Sequence, residues 1–137
     1  MTPTPEGAPL STTLSSRLAA QAASGTANSV VGEAPFDATV TAVTLAPDAN
    51  ITGATATKRT FTLLNRGQDG SGATSIAVLD LTTGVNPVSG DEMAFTLSGT
   101  PANLNINAGD ILSVQETVAS TGTANPGGRV SVDITRR

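Results

Sequence analysis

Short stretches of alternating apolar and polar residues make up most of the chain, and turn-forming residues separate them. A period of two is typical of a strand with one buried face. It is clearest over residues 111–118, where Leu112 and Val114 share a phase, and over the final stretch of Val130, Val132 and Ile134. The same pattern predicts strands over residues 26–33, 38–45, 58–65, 74–81, 91–97 and 104–106.

Gly, Pro, Asn and Asp interrupt the alternation about every 8–12 residues, which is the spacing of an all-β sandwich or barrel. The Pro-Asp-Ala-Asn sequence at residues 47–50 and the NRGQDGSG sequence at residues 65–72 are the plainest of these turns. We therefore predict an all-β fold, an antiparallel β-sandwich or jelly roll of about eight strands, over residues 26–137.

The predicted strand at residues 38–45 differs from its neighbours. Strict alternation places Val40 and Ala42 on one face and Val43 and Leu45 on the other. Both faces would then be partly apolar. We expect such a strand to be covered on both sides, by the second sheet and by a neighbouring subunit.

Residues 1–25 are predicted to form an N-terminal arm, because the first sixteen are rich in Pro, Ser and Thr and contain few apolar residues that could anchor them. Within this arm, residues 14–24 fit two structures. Their alanines and the following Gly25 favour a short helix, whereas Leu18, Ala20 and Ala22 alternate as in a strand. The β character of the downstream sequence favours the strand.

Composition indicates a thin core. Leu, Ile, Val and Phe account for 30 of the 137 residues. This fraction is close to the level of about 20% below which disorder is expected. Because a small domain buries a modest share of its surface, we expect assembly with other copies to complete the burial.

The net charge of −4, with seven scattered basic residues, argues against nucleic-acid binding, which needs a basic stripe. No apolar run approaches a membrane span, and residues 1–12 lack the features of a secretory signal. We expect neither nucleic acid nor membrane as a partner.

Catalytic side chains are scarce. The chain has no His and no Cys, so it offers no Ser-His or Cys-His pair and no zinc site built from these residues. Asp48 with Asn50, and Asp69 in its glycine loop, are better explained as turn residues than as calcium ligands. We expect no enzymatic activity, no cofactor and no metal. The absence of Tyr and Trp also weighs against a sugar-stacking or base-stacking surface.

Four segments carry a resemblance to a known family: PFDATVTAVTLAPDANITGATATKRTFTLLNRGQDGSG at residues 35–72, AFTLSGT at 94–100, LNINAGDILSVQETVASTG at 104–122 and PGGRVSVDITR at 126–136. In this order of turns and strands, the chain resembles the small β-rich decoration (cement) proteins of tailed phages. The resemblance covers about residues 30–137 and does not extend to the predicted arm.

The resemblance implies a non-enzymatic virion component with a β-sandwich or jelly-roll domain. Such proteins lie on the outer surface of the capsid, commonly as homotrimers. They bind the major capsid protein and stabilise the shell by bridging capsomers, often with an arm that reaches across. The expected contacts to capsid or subunits lie in the arm and in the two-sided strand, at Pro9, Leu10, Leu14, Leu18, Val40, Val43 and Leu45.

A second hypothesis from the same sequence is a fibre or receptor-binding module that recognises a glycan on the host surface. In that case the loops at residues 65–72 and 120–128 would carry recognition. The missing Tyr and Trp weigh against it.

Overall fold

Ten β-strands account for the regular structure in a computed structural model that describes residues 10–137. They are β1 (Ser11–Leu18), β2 (Ala27–Glu33), β3 (Ala38–Pro47), β4 (Arg59–Asn65), β5 (Thr74–Asp80), β6 (Met93–Ala94), β7 (Thr96–Leu97), β8 (Asn105–Ile106), β9 (Ile111–Val118) and β10 (Gly128–Arg136). Two 3₁₀ turns, Thr55–Thr57 and Pro101–Leu104, complete the elements. The predicted all-β fold is confirmed.

The strands form two antiparallel sheets in the order of a jelly roll. The first sheet has the order β1-β10-β3-β6, with β8 also paired to β3, and the second has the order β2-β9-β4-β5-β7. The pairs β1·β10, β2·β9, β3·β6 and β4·β5 are nested, as if one long hairpin had been rolled up. Two Greek keys formed in this way define the jelly roll.

The hydrophobic core lies between the two sheets and follows the predicted alternation. Val130, Val132 and Ile134 from β10 face Leu112 and Val114 from β9, and all five are fully buried. Since inward residues of both sheets interdigitate in a sandwich, these two central strands supply the middle of the core.

A β-bulge at Thr41 corrects the prediction of a two-sided β3. Ala42 pairs with Asp133, whereas Val40 pairs with Ile134, so Thr41 is an extra residue on β3. The extra residue of a bulge shifts the alternation by one position, so the residues before it point to the opposite face from the one that strict alternation predicts. As a result Val40 points to the same side as Val43, and the core side carries the apolar residues of both halves of the strand.

The predicted strand at residues 91–97 is divided between the two sheets. Met93–Ala94 pairs with β3, and Thr96–Leu97 pairs with β5. Phe95 lies between them, 5% exposed, with its ring centroid 6.5 Å from that of Phe61. The chain therefore crosses from one sheet to the other and closes this side of the sandwich with an aromatic pair.

Part of the predicted arm is a strand of the sandwich. Ser11–Leu18 pairs along its full length with β10, from Ser11 opposite Thr135 to Leu18 opposite Gly128. Leu14 packs on the core and Leu18 belongs to it. Of the two structures considered for residues 14–24, the strand is formed up to Leu18, and residues 1–9 lie outside the described part of the chain.

Deletion of Thr41 should change the free energy of unfolding by less than about 1 kcal/mol, because it removes the extra residue and leaves Val40 and Val43 on the core side. Deletion of Thr44, which lies in the regular part of β3, is the matched comparison. It should lower the free energy of unfolding by about 2 kcal/mol or more, because it puts Val43 out of phase with Leu45, and full burial of one valine contributes roughly 1.5–3 kcal/mol. Denaturant unfolding of the parent and both variants measures the effect, and equal losses in the two variants would contradict the role of the bulge.

Candidate interaction surfaces

The loops separate into two groups at opposite ends of the sandwich. One end carries the connections at residues 19–26, 48–58, 81–92 and 119–127, and the other end carries the connections at residues 34–37, 66–73, 98–104 and 107–110. The two loops predicted for glycan recognition, at residues 65–72 and 120–128, therefore lie at opposite ends of β4 and β9. They do not form one site.

A buried arginine holds the first group of loops in place. Arg59 begins β4 and its side chain is 0% exposed. Its Nη1 donates to Oε1 of Glu116 at 3.1 Å, Nε donates to the Thr123 carbonyl at 2.7 Å, and Nη2 donates to the Ala22 carbonyl at 2.9 Å. One guanidinium thus links two loops to the centre of the second sheet.

Asn125 completes this network. Its Nδ2 donates to Oε1 of Glu116 at 2.8 Å, and its Oδ1 accepts from the backbone N–H of Gly127 at 2.9 Å. The backbones of Asn125 and Gln21 exchange two hydrogen bonds across the two loops. Gly122, with φ of 77°, packs so closely on Ala23 that a Cβ would overlap its carbonyl oxygen, which makes glycine necessary here.

Hydrogen bonds compensate only part of the cost of burying the Glu116 carboxylate. Oε1 accepts two hydrogen bonds, but within residues 10–137 Oε2 has no hydrogen-bond partner. Burial raises the pKa of this carboxyl, against the opposing effects of Asn125 and Arg59. Burial likewise lowers the pKa of Arg59, although Glu116 counteracts it. Because desolvation of both charges opposes their attraction, this pair organises the loops more than it stabilises the fold.

The sequence analysis above did not predict this pair, although the positions of Arg59 and Glu116 in the alternation indicate it. Arg59 shares the inward phase of Phe61 and Leu63, and Glu116 shares that of Leu112 and Val114. Two opposite charges in core phase on different strands are candidates for a buried pair.

The structure does not bring the predicted contact residues to one surface. Val40, Val43 and Leu45 are at most 1% exposed and lie in the core, because the Thr41 bulge turns both halves of β3 inward. Their side chains are therefore not on a surface that a capsid or a second subunit could contact.

The remaining predicted contacts lie along β1. Leu18 is buried, Leu14 is half-buried and Leu10 is 41% exposed. Pro9 lies outside the described residues. Of the seven residues, Leu10 and Leu14 are thus the described ones with accessible side chains.

The surface has two depressions, one beside the crossing of the chain between the sheets and one beside the Thr41 bulge. One, of about 420 Å³, lies where the chain crosses between the sheets and is lined by Val78, Val85 and Met93 together with polar Asp80 and Thr96. Asp80 is already engaged, since it accepts from Thr60 and pairs with Lys58 at 3.4 Å. The second depression, of about 360 Å³, lies on the outer face of the first sheet.

This second depression lies beside the Thr41 bulge and is lined largely by Ser and Thr, together with Asp133. Thr13 donates to Asp133 at 2.7 Å, so this carboxylate has a partner within the sheet. No group of three or more His, Cys, Asp or Glu residues close enough to hold a metal occurs within residues 10–137. No helix in that range has the length and apolarity of a membrane span.

Comparison with known proteins assigns no family. No family model matches the sequence, and no curated protein matches it. One solved structure, described as "Structure of infectious bursal disease virus Gx strain", is similar over 94% of this chain, with 11% sequence identity and a TM-score of 0.41. The matched region is 32% of that viral chain, so the present chain spans about a third of its length. A similarity of this size does not assign a function.

Glu116→Leu should lower the free energy of unfolding by about 3–5 kcal/mol, and Glu116→Gln should lower it by clearly less. Both variants remove the counter-charge of Arg59, but glutamine keeps an oxygen that accepts from Arg59 and Asn125, whereas leucine leaves both buried donors without that acceptor. Denaturant unfolding at neutral pH compares the two variants, and a similar loss in both would contradict the distinction.

The stability difference between the parent and Glu116→Gln should also depend on pH. Because the pKa of Glu116 is raised in the folded state, its stabilising contribution is complete below the unfolded pKa and is lost as pH rises through the folded pKa. The parent should therefore gain stability relative to the variant as pH falls through the raised folded-state pKa towards the ordinary glutamate value. Asp69, whose pKa is lowered by its hydrogen bonds from Ser71, changes both proteins equally. A pH-independent difference would show that Glu116 titrates normally.

Proposed function

We propose that the protein is a capsid decoration protein of a tailed phage. It binds the major capsid protein on the outer surface of the assembled head, as a trimer, and stabilises the shell by bridging capsomers. The observation that carries the proposal is that the motifs shared with this family are the residues that form the turns of the jelly roll.

The Pro-Phe-Asp and Ala-Gly-Asp motifs meet at one end of the sandwich. Asp37 accepts from the N–H of Ala108 at 2.8 Å. Asp110 accepts from the N–H of Asn107 at 2.8 Å and from Nδ2 of Asn65 at 2.9 Å. These carboxylates join the loop at residues 34–37, the loop at residues 107–110 and the end of β4. The resemblance therefore rests on residues that determine the fold.

Two further motifs of the resemblance, NRGQDGSG and PGG, act in the same way. In NRGQDGSG, Oδ1 of Asn65 caps the N–H of Gly67, and Oδ1 of Asp69 accepts from Ser71. In PGG, Gly127 has φ of 93°, and a Cβ on Gly128 would lie 2.5 Å from the Ala46 carbonyl oxygen. Both sequences are required by close backbone approaches and tight turns.

The outer face of the first sheet is suited to binding a capsid through many weak contacts spread over a large area. The outer face of the first sheet presents small hydroxyl side chains from three strands, including Thr13, Ser15, Ser131 and Thr44. A face of small side chains can be buried against a shell with little loss of side-chain entropy. Many copies on one shell would then act together through multivalency.

The glycan-binding alternative has less support. Its two loops lie at opposite ends of the sandwich, and the loop at residues 119–127 is tied down by Arg59 and Asn125. A single site formed by both loops is excluded by this geometry.

The proposal is tested with heads of the encoding phage assembled without this protein. Purified protein should bind the expanded heads saturably, should appear at local three-fold positions in electron micrographs, and should raise the temperature at which the heads release DNA. Unexpanded heads are the matched control. Saturable binding to host-surface glycans without any effect on heads would favour the fibre alternative, and absence of binding to expanded heads would refute the decoration role.

A further inference from the structure

The outer edge of β1 offers a row of backbone groups for pairing. The Leu10 carbonyl accepts from the N–H of Arg136 at 2.8 Å, so the even-numbered residues of β1 form the hydrogen-bonded pairs with β10. In an antiparallel ladder the intervening residues direct their N–H and C=O groups the other way. Those residues are Ser11, Thr13, Ser15 and Arg17, and they face the open edge.

Within residues 10–137, this edge lacks the features that normally protect a sheet edge. Other edge strands here are interrupted by a bulge, as in β2 between Val30 and Gly32, or are two residues long, as in β6, β7 and β8. In contrast, β1 pairs over eight residues without a bulge and contains no proline or lysine. Its one charge, Arg17, is held by Asp48. Natural proteins rarely leave such an edge unpaired.

The sequence of this edge is complementary to itself. From Leu10 to Leu18 it reads LSTTLSSRL, with Leu10, Leu14 and Leu18 spaced four residues apart around a central leucine. If a second copy pairs antiparallel about Leu14, each Leu10 lies beside Leu18 of the other copy, and the two Leu14 side chains meet on the axis.

We propose that β1 is a self-association surface, on which β1 of a second copy adds as an antiparallel strand about a two-fold axis through Leu14. The first sheets of the two copies then form one continuous sheet. In this register the four outward residues form hydrogen-bonded pairs, Ser11 with Arg17 and Thr13 with Ser15, and no like charges face each other.

The inference goes beyond the proposed function and does not depend on it. A two-fold contact at β1 leaves the outer face of the first sheet free for a shell. It also leaves the opposite side of the sandwich, at β6 and β7, free for contacts about a three-fold axis. On a capsid it would join copies from neighbouring trimers, and in solution it would join two copies without any head.

Cysteine cross-linking of the purified protein tests the register. The chain has no cysteine, so each introduced thiol can pair only with that of another copy. In the proposed register Thr12 faces Ser16 of the second copy across a non-hydrogen-bonded pair, with Cα atoms about 4.5 Å apart. This separation lies in the range of about 4.4–6.8 Å that suits a disulfide.

A mixture of Thr12→Cys and Ser16→Cys proteins should give the mixed disulfide dimer under mild oxidation, and Leu14→Cys should cross-link with itself. Thr12→Cys alone is the matched control and should give no dimer, because its two thiols lie four residues apart along the paired strands. Cross-linking of Thr12→Cys alone to the same extent as the mixture would overturn the proposal.

A proline variant tests the role of the open edge itself. Ser15→Pro removes an N–H that points away from β10, so the intrachain ladder is retained, and it should abolish the Leu14→Cys cross-link. Ser15→Ala keeps the N–H and should preserve the cross-link. Unchanged cross-linking in the proline variant would refute pairing at this edge. Because no heads are used, failure here leaves the decoration proposal standing, and failure of head binding leaves this proposal standing.

Discussion

Each of the two sheets depends on one central strand from the C-terminal part of the chain. β10 pairs with β1 on one side and with β3 on the other, and β9 likewise pairs with β2 and β4. The first sheet is therefore incomplete until the chain has reached Arg136. Because almost all pairings join distant parts of the sequence, loop closure dominates the cost of folding, and topologies of this kind fold slowly. The turn motifs matter for this reason: each one fixes a local reversal before the distant partner strand arrives.

The sequence predicted the strands well where alternation was strict and less well where it was broken. β9 has the bounds, Ile111–Val118, that the alternation around Leu112 and Val114 indicated. The bulge at Thr41 was not predictable in this way. Nothing in the local composition distinguishes a bulge from a strand with two apolar faces, and only the register against Asp133 decides between them.

The same limit applies to the surfaces. The sequence places the leucines of β1 in a predicted arm and gives the valines of β3 an apparent second face, and both sets are therefore predicted as contact residues. Pairing with β10 leaves Leu10 exposed, whereas the bulge buries Val40 and Val43. Arg59 and Glu116 were missed because a charged residue in core phase reads as a break in the pattern until its partner is known. A long-range contact decides the outcome in each case.

The crossing of the chain at Phe95 has a mechanical consequence. One continuous segment, from Met93 to Leu97, belongs to both sheets, so on this side the sheets cannot part without extracting a buried aromatic ring. On the opposite side, β1 and β2 lie in different sheets as neighbouring edges, and their contact includes Leu14 resting against Gly32. We therefore expect thermal opening to separate the sheets first along β1 and β2, with the Phe95 side acting as the hinge. Slow amide exchange should persist longest next to that hinge, and the side that opens first carries the outer edge of β1.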